Sequence, residues 1–115
     1  MEENIPGMAT VPFSEFKKLD IRVARVLSVE NHPNADKLYV LKVDSGAGER
    51  QIVAGLRPYY KAEELAGRAI VMVVNLEPAV LRGVQSQGML LAATDAGRVM
   101  LLRPDAEAAP GARIS

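Results

Sequence analysis

Between Asp20 and Glu30 the chain reads D-I-R-V-A-R-V-L-S-V-E, with Ile21, Val23, Val26, Leu27 and Val29 set apart by Arg22 and Arg25. Side chains of an extended strand alternate between two faces, so this spacing predicts a half-buried strand and not a helix, whose apolar stripe recurs every three or four residues. The doublet Val26-Leu27 breaks the alternation and predicts a bulge or bend. The same rhythm of short apolar runs continues at Leu38 to Asp44, Arg50 to Gly55, Ile70 to Val74, Met89 to Thr94 and Val99 to Arg103. H-P-N-A-D at 32–36, S-G-A-G at 45–48 and D-A-G at 95–97 read as turns, because proline fixes φ while Asn and Asp hydrogen-bond their own backbone. Helical signal is confined to Ser14 to Leu19 and to Lys61 to Ala66, the second stopped by Gly67 in the left-handed position.

Five or six strands with one small helix between the third and fourth point to an all-β fold. The expected architecture is a small closed OB-fold barrel of five core strands, with short helices and terminal extensions; an open sandwich is the rival. The unbroken apolar run from Ile70 to Val74 predicts a strand covered on both faces. A length of 115 residues with 49% hydrophobic content supplies the core of one domain and not two. We place an N-terminal extension at 1–12 and the domain at 13–115. The tail A-E-A-A-P-G-A is expected to be the flexible piece.

The composition narrows the function by exclusion. Without cysteine there is neither a disulfide framework nor a thiolate metal site. No apolar run approaches the roughly 20 residues a bilayer requires, and Met1 to Pro12 lacks the basic start and apolar segment of a secretory signal. A cytoplasmic protein with no membrane partner is expected. His32 is the sole histidine, so it has no second imidazole or thiolate to complete a metal set or a nucleophilic triad. S-G-A-G lacks the Gly-Lys-Ser/Thr that would make it a phosphate loop. No enzyme activity, metal or cofactor is expected.

Net charge is zero, which argues against coating nucleic acid by bulk attraction. Residues 21–103 nevertheless carry 11 basic and 8 acidic side chains, so a mildly basic body leaves room for a local site. The segment with the vocabulary of recognition is V-N-L-E-P-A-V-L-R-G-V-Q-S-Q-G-M-L-L-A-A, from Val74 to Ala93. Asn75, Arg82, Ser86 and Gln87 bring amide, guanidinium and hydroxyl groups into a connection shaped by Pro78, Gly83 and Gly88. Each also has a plain reading. Asn75 either caps the turn after I-V-M-V-V or faces a ligand; Arg82 is either a solvated arginine or a phosphate contact; Met89 fits a core position ahead of L-L-A-A. Lys37 follows a turn, where lysines are commonly solvated. Aromatics are few, and generic single-strand binders use stacking platforms, so structured RNA suits this composition better.

D-I-R-V at 20–23, H-P-N-A-D-K-L at 32–38, R-Q-I-V-A-G-L at 50–56 and the N-L-E-P…L-R-G-V-Q-S-Q-G-M-L-L-A segment together resemble the tRNA-binding domain family. That family includes the β subunit or C-terminal domain of methionyl-tRNA synthetase and free-standing structure-specific tRNA-binding proteins, and the resemblance runs from about Phe13 to the C-terminus. It implies a homodimeric OB barrel that recognises tRNA by shape, free or beside a methionyl-tRNA synthetase catalytic subunit, with Lys37, Asn75, Arg82, Ser86 and Met89 in RNA contact. It also implies that apolar residues of the ends, Ile5, Met8, Val11 and Ile114, help join two copies. The same barrel serves a CsaA-like homodimeric export chaperone that binds unfolded polypeptide, which is the alternative. Glu77 and Ala79 stand where relatives commonly carry basic residues, which implies weaker or more selective binding.

Overall fold

The computed structural model describes residues 8–115. Its elements are α1 (Phe13–Phe16), β1 (Ile21–Asn31), β2 (Tyr39–Asp44), β3 (Glu49–Ala54), α2 (Ala62–Leu65), β4 (Ala69–Val73), β5 (Ala79–Leu81), β6 (Val84–Ser86), β7 (Met89–Leu90), β8 (Ala92–Asp95) and β9 (Arg98–Leu101). Five of the strands form one antiparallel sheet in the order β3-β2-β1-β4-β7, while β5-β6 and β8-β9 are separate two-stranded hairpins. β1 is long enough to pair with β2 along one half and with β4 along the other. The ladder to β2 shifts between Val26 and Ser28, so the bulge expected at Val26-Leu27 is present and turns Leu27 outward.

The sheet curls around Leu41, Ile52, Leu65, Ile70 and Met72, each fully buried. Burying an aliphatic side chain of this size contributes about 1.5–3 kcal/mol. A smaller cluster of Ile21, Val71 and Val73, with Leu91 against it, covers the other face of β4, so that strand is buried on both sides as its continuous apolar run predicts. Gly67 ends α2 with φ of +84°, and Glu64 Oε1 accepts from the Lys61 N–H at 2.7 Å at the other end.

The barrel closes without a strand ladder. Along the open edge of β3, the Gln51 N–H donates to Gln87 Oε1 at 2.9 Å and the Val53 N–H donates to Ser86 Oγ at 2.9 Å, so two side chains stand in for the carbonyls of a neighbouring strand. Gln51 Nε2 donates to the Gln85 carbonyl at 2.8 Å, and the Gln87 N–H returns one backbone bond to the Gln51 carbonyl at 2.7 Å. Arg50 Nη1 reaches the carbonyls of Val74 and Gln87. Gly88 completes the seam: a Cβ there would lie 2.6 Å from Met72 Cε and 2.9 Å from the Val73 carbonyl, at a φ of +146° that L side chains rarely adopt.

Two expectations are corrected. Met89 to Thr94 is not one strand, because the chain changes partners at Leu91: β7 belongs to the main sheet and β8 leaves it to pair with β9. The C-terminal tail is not a loose piece. Gly111 N–H donates to the Val23 carbonyl at 2.7 Å, Val23 N–H to the Ala112 carbonyl at 2.8 Å, and Ile114 N–H to the Ile21 carbonyl at 2.9 Å, so residues 111–114 line the part of β1 that β2 leaves free. Gly46 permits this docking, since a Cβ on it would meet Gly111 Cα at 2.6 Å.

Candidate functional site

The segment read from sequence as a shaped loop is a hairpin. Leu81 pairs with Val84, leaving Arg82-Gly83 as a two-residue turn with φ of +53° and +90°. Positive φ at both central positions is the mirror-image turn that matches the twist of a hairpin, and an Arg in the first of them is held in a region costing roughly 1–2 kcal/mol for an L residue. The β8-β9 turn uses the same geometry at Ala96-Gly97, with φ of +51° and +78°. Arg82 is exposed at the tip, and the adjacent Val80 and Leu81 are also exposed, at 69% and 39%.

His32 connects this hairpin to the H-P-N-A-D turn. The ring is buried, with Nε2 2.9 Å from the Leu81 carbonyl and Nδ1 accepting from the Asn34 N–H at 2.9 Å. Asn34 Nδ2 adds a long contact of 3.5 Å to the Arg82 carbonyl. The turn and the hairpin therefore meet through His32 and Asn34, and Lys37, three residues after Asn34, is exposed, as is Arg82. Neither Lys37 nor Arg82 forms an ion pair among the described residues, whose two pairs are Lys18 with Glu15 and Arg22 with Asp20.

The other expected contact residues occupy different positions. Asn75, just after β4, ties that strand end to the segment ahead of β1 while remaining exposed: Oδ1 accepts from the Asp20 N–H at 2.7 Å and Nδ2 donates to the Lys18 carbonyl at 2.6 Å. Ser86 is buried, accepting from Val53 N–H and donating to the Gly88 carbonyl at 3.0 Å, so its hydroxyl is engaged as both acceptor and donor within the seam. Met89 is half exposed opposite Val73, away from the core position the apolar run suggests. Glu77 and Ala79 are exposed before and within the hairpin. Sequence reading missed the tie from His32 to the hairpin, and Arg50, Gln51 and Gln87 as the seam beneath it. The one local signal for the hairpin is the Arg82-Gly83 pair, flanked on either side by the apolar residues Leu81 and Val84.

A second feature lies at the termini. Phe13, Phe16, Leu19, Ile21 and Ile114 line a cleft of about 170 Å³, with Lys17 and Arg113 at its rim. Phe13 is 71% exposed, as are large parts of Met8 and Val11; Ile5 lies outside the described residues. Nearby, Arg22 donates to Asp20 at 2.6 Å, and this hydrogen bond, opposed by partial burial and helped by the charges of Arg22, Arg113 and Arg50, holds the Asp20 carboxyl below its usual value. Among the described residues no group of His, Asp or Glu is placed to hold a metal ion, and no helix is long and apolar enough to cross a membrane.

Comparison with known proteins adds an independent line. Residues 21–113 match the family model described as "Putative tRNA binding domain". The chain is 61% identical over 107 residues to a methionine–tRNA ligase of Thermococcus kodakarensis, covering 93% of this chain and 14% of that protein. It is 49% identical over 105 residues to the Thermotoga maritima methionine–tRNA ligase, covering 91% of this chain and 17% of that one. The chain thus spans about a seventh of the length of the curated relatives it matches. Among solved structures, a MetRS-related protein from Pyrococcus horikoshii superposes with a TM-score of 0.86 at 39% identity, over 94% of this chain and all of that one. The chaperone CsaA of Bacillus anthracis superposes with a TM-score of 0.84 at 35% identity, over 93% and 100%.

Proposed function

Because the chain belongs to the tRNA-binding domain family, we propose that it binds structured tRNA in trans, without catalysis, either free-standing or as the tRNA-binding partner of a methionyl-tRNA synthetase catalytic subunit. It acts in the cytoplasm. The observation that carries the reading is the meeting of two family motifs on one surface, the H-P-N-A-D-K-L turn and the L-R-G hairpin, joined through His32 and Asn34. Arg82 and Lys37 contact phosphates directly, and Met89 lies at the edge of the footprint. Asn75 and Ser86 act by holding the strand end and the seam on which the hairpin stands. Few cations flank Glu77, so about 3–5 phosphates are neutralised and log K falls with log salt at a slope of about −2 to −5.

A second reading, an export chaperone that binds unfolded polypeptide, draws on the likeness to CsaA and on the exposed apolar side chains of Val80, Leu81 and Met89. Titration of the protein with total tRNA and, separately, with a reduced and unfolded polypeptide separates the two. Salt-sensitive binding of tRNA alone supports the first reading; binding of polypeptide alone rejects it.

Two copies join through the terminal cleft around Phe13, Phe16 and Ile114, which makes one apolar patch serve twice across a twofold axis. Light scattering then gives a mass of about twice 12.4 kDa, and Phe13→Asp, which places a charge on a side chain that is exposed in the single chain, shifts it to the monomer. A wild-type monomer at concentrations well above the tRNA Kd rejects the dimer.

A further inference from the structure

The two limbs of the Arg82 hairpin are held differently. β6 is fastened to β3 through Ser86, Gln85 and the neighbouring Gln87. β5 is three exposed residues paired only with β6, and a two-stranded hairpin is marginal by itself. Among the described residues, the hydrogen bonds from the β5 limb and the tip to the rest of the barrel are those of His32 to the Leu81 carbonyl and of Asn34 to the Arg82 carbonyl, and the second is long. The partners of His32 also fix its tautomer. A backbone N–H only donates, so Nδ1 facing Asn34 N is the bare acceptor; a carbonyl only accepts, so Nε2 facing Leu81 carries the hydrogen.

Resting on the tRNA reading above, we propose that His32 is a positioning residue whose Nε2–H bond to Leu81 ties the strained Arg82 turn to the H-P-N-A-D-K-L turn, so that the guanidinium meets the RNA already in place. The hydrogen bond acts on the residue immediately before Arg82, where a change in Leu81 would swing the guanidinium. Preorganisation of this kind raises affinity by removing the ordering that binding would otherwise require.

Two substitutions separate the ring's two contacts. His32→Asn puts an amide oxygen where Nδ1 stands, preserving the acceptor for Asn34, and has no atom that reaches Leu81. His32→Gln puts an amide N–H near the place of Nε2, preserving the bond to Leu81. Backbone nitrogen relaxation is measured on both alongside tRNA titration, with thermal unfolding to establish that each is folded. In His32→Asn, residues 79–83 lose picosecond–nanosecond order and tRNA affinity falls about 3- to 10-fold, the effect of one hydrogen bond. In His32→Gln, order is kept and affinity stays within about twofold of wild type. Arg82→Ala reduces affinity less in the His32→Asn background than alone, because the two residues act in series.

An ordered hairpin with wild-type affinity in His32→Asn overturns the proposal, as do equal losses in both variants or strictly additive effects with Arg82→Ala. Should His32→Asn fail to fold, His32→Gln carries the test through the same measurements, and loss of hairpin order or a tenfold loss of affinity in it overturns the proposal. A wild-type protein that binds no tRNA while the relaxation responds as expected removes the tRNA reading and, with it, the role in RNA affinity, leaving the mechanical tie as the measured property of His32.

Discussion

Replacing Ser86 by alanine separates a residue that builds the surface from one that touches the ligand. The substitution removes one oxygen from a site that is 4% exposed, and with it the bonds to the Val53 N–H at 2.9 Å and the Gly88 carbonyl at 3.0 Å. Val53 stands opposite Val40 of β2 and is buried, but its N–H is directed to the free edge of β3, where no strand can replace Ser86. A buried donor left unpaired costs about 1–3 kcal/mol, while the Gly88 carbonyl, in a partly exposed residue, recovers part of its loss from water. The expected destabilisation is about 2–3 kcal/mol, which for a domain of this size lowers Tm by on the order of 8–15 °C. Thermal unfolding followed by circular dichroism measures the first quantity. A tRNA titration well below the lowered Tm measures the second, and affinity there should fall less than about threefold, the scale of half a kcal/mol. An unchanged Tm with a tenfold loss of affinity would falsify the reasoning, since the hydroxyl would then face the RNA.

Arg82→Gly should weaken tRNA binding by on the order of 1–3 kcal/mol and reduce the salt slope by about 1 without lowering Tm, because glycine accepts the turn's positive φ; a folded variant with wild-type affinity excludes Arg82 from the interface. Glu77→Lys should raise affinity and steepen the salt dependence, since it replaces a repulsive charge with an attractive one; if both stay as in wild type, Glu77 does not face the RNA. The Asp20 carboxyl is held below its usual value chiefly by the hydrogen bond from Arg22, so its share of stability is complete above the ordinary aspartate range and drains as pH falls through the depressed one. With the side chain about a third exposed that share is modest, and Asp20→Asn should remove it; acid-unfolding curves that overlay for the two proteins would contradict this.

What could be read from sequence was whatever is written in neighbouring residues. The bulge at Val26-Leu27 and the two-sided burial of β4 both follow from apolar spacing within a few positions, as does the stop at Gly67 from its place after a short helix. The closing seam could not be read that way. Ser86, Gln87 and His32 find their partners 33, 36 and 49 positions away, and a hydrogen bond across such distances leaves no periodic trace. The β5-β6 hairpin was hidden for another reason: its strands are three residues each and β5 is entirely exposed, so it lacks the alternation by which the other strands declare themselves. The tail misled through composition. A-E-A-A-P-G-A has few side chains to pack, yet its end is fastened through backbone groups, to which composition is blind.

The pairing of residues 111–114 with β1 bears on how the chain folds. Arg22 and Gly111 are 89 positions apart, and contacts of such separation slow folding because the loop between them must close first. Until they form, the stretch Ile21 to Val23 presents unpaired backbone groups along a β edge, the kind of template onto which a second chain can add. A protein shortened before residue 110 keeps that edge permanently open. Such a truncation invites exchange of strands between copies, so an oligomer formed by a tail-deleted chain would reflect the exposed edge and not the twofold contact proposed above for the intact chain.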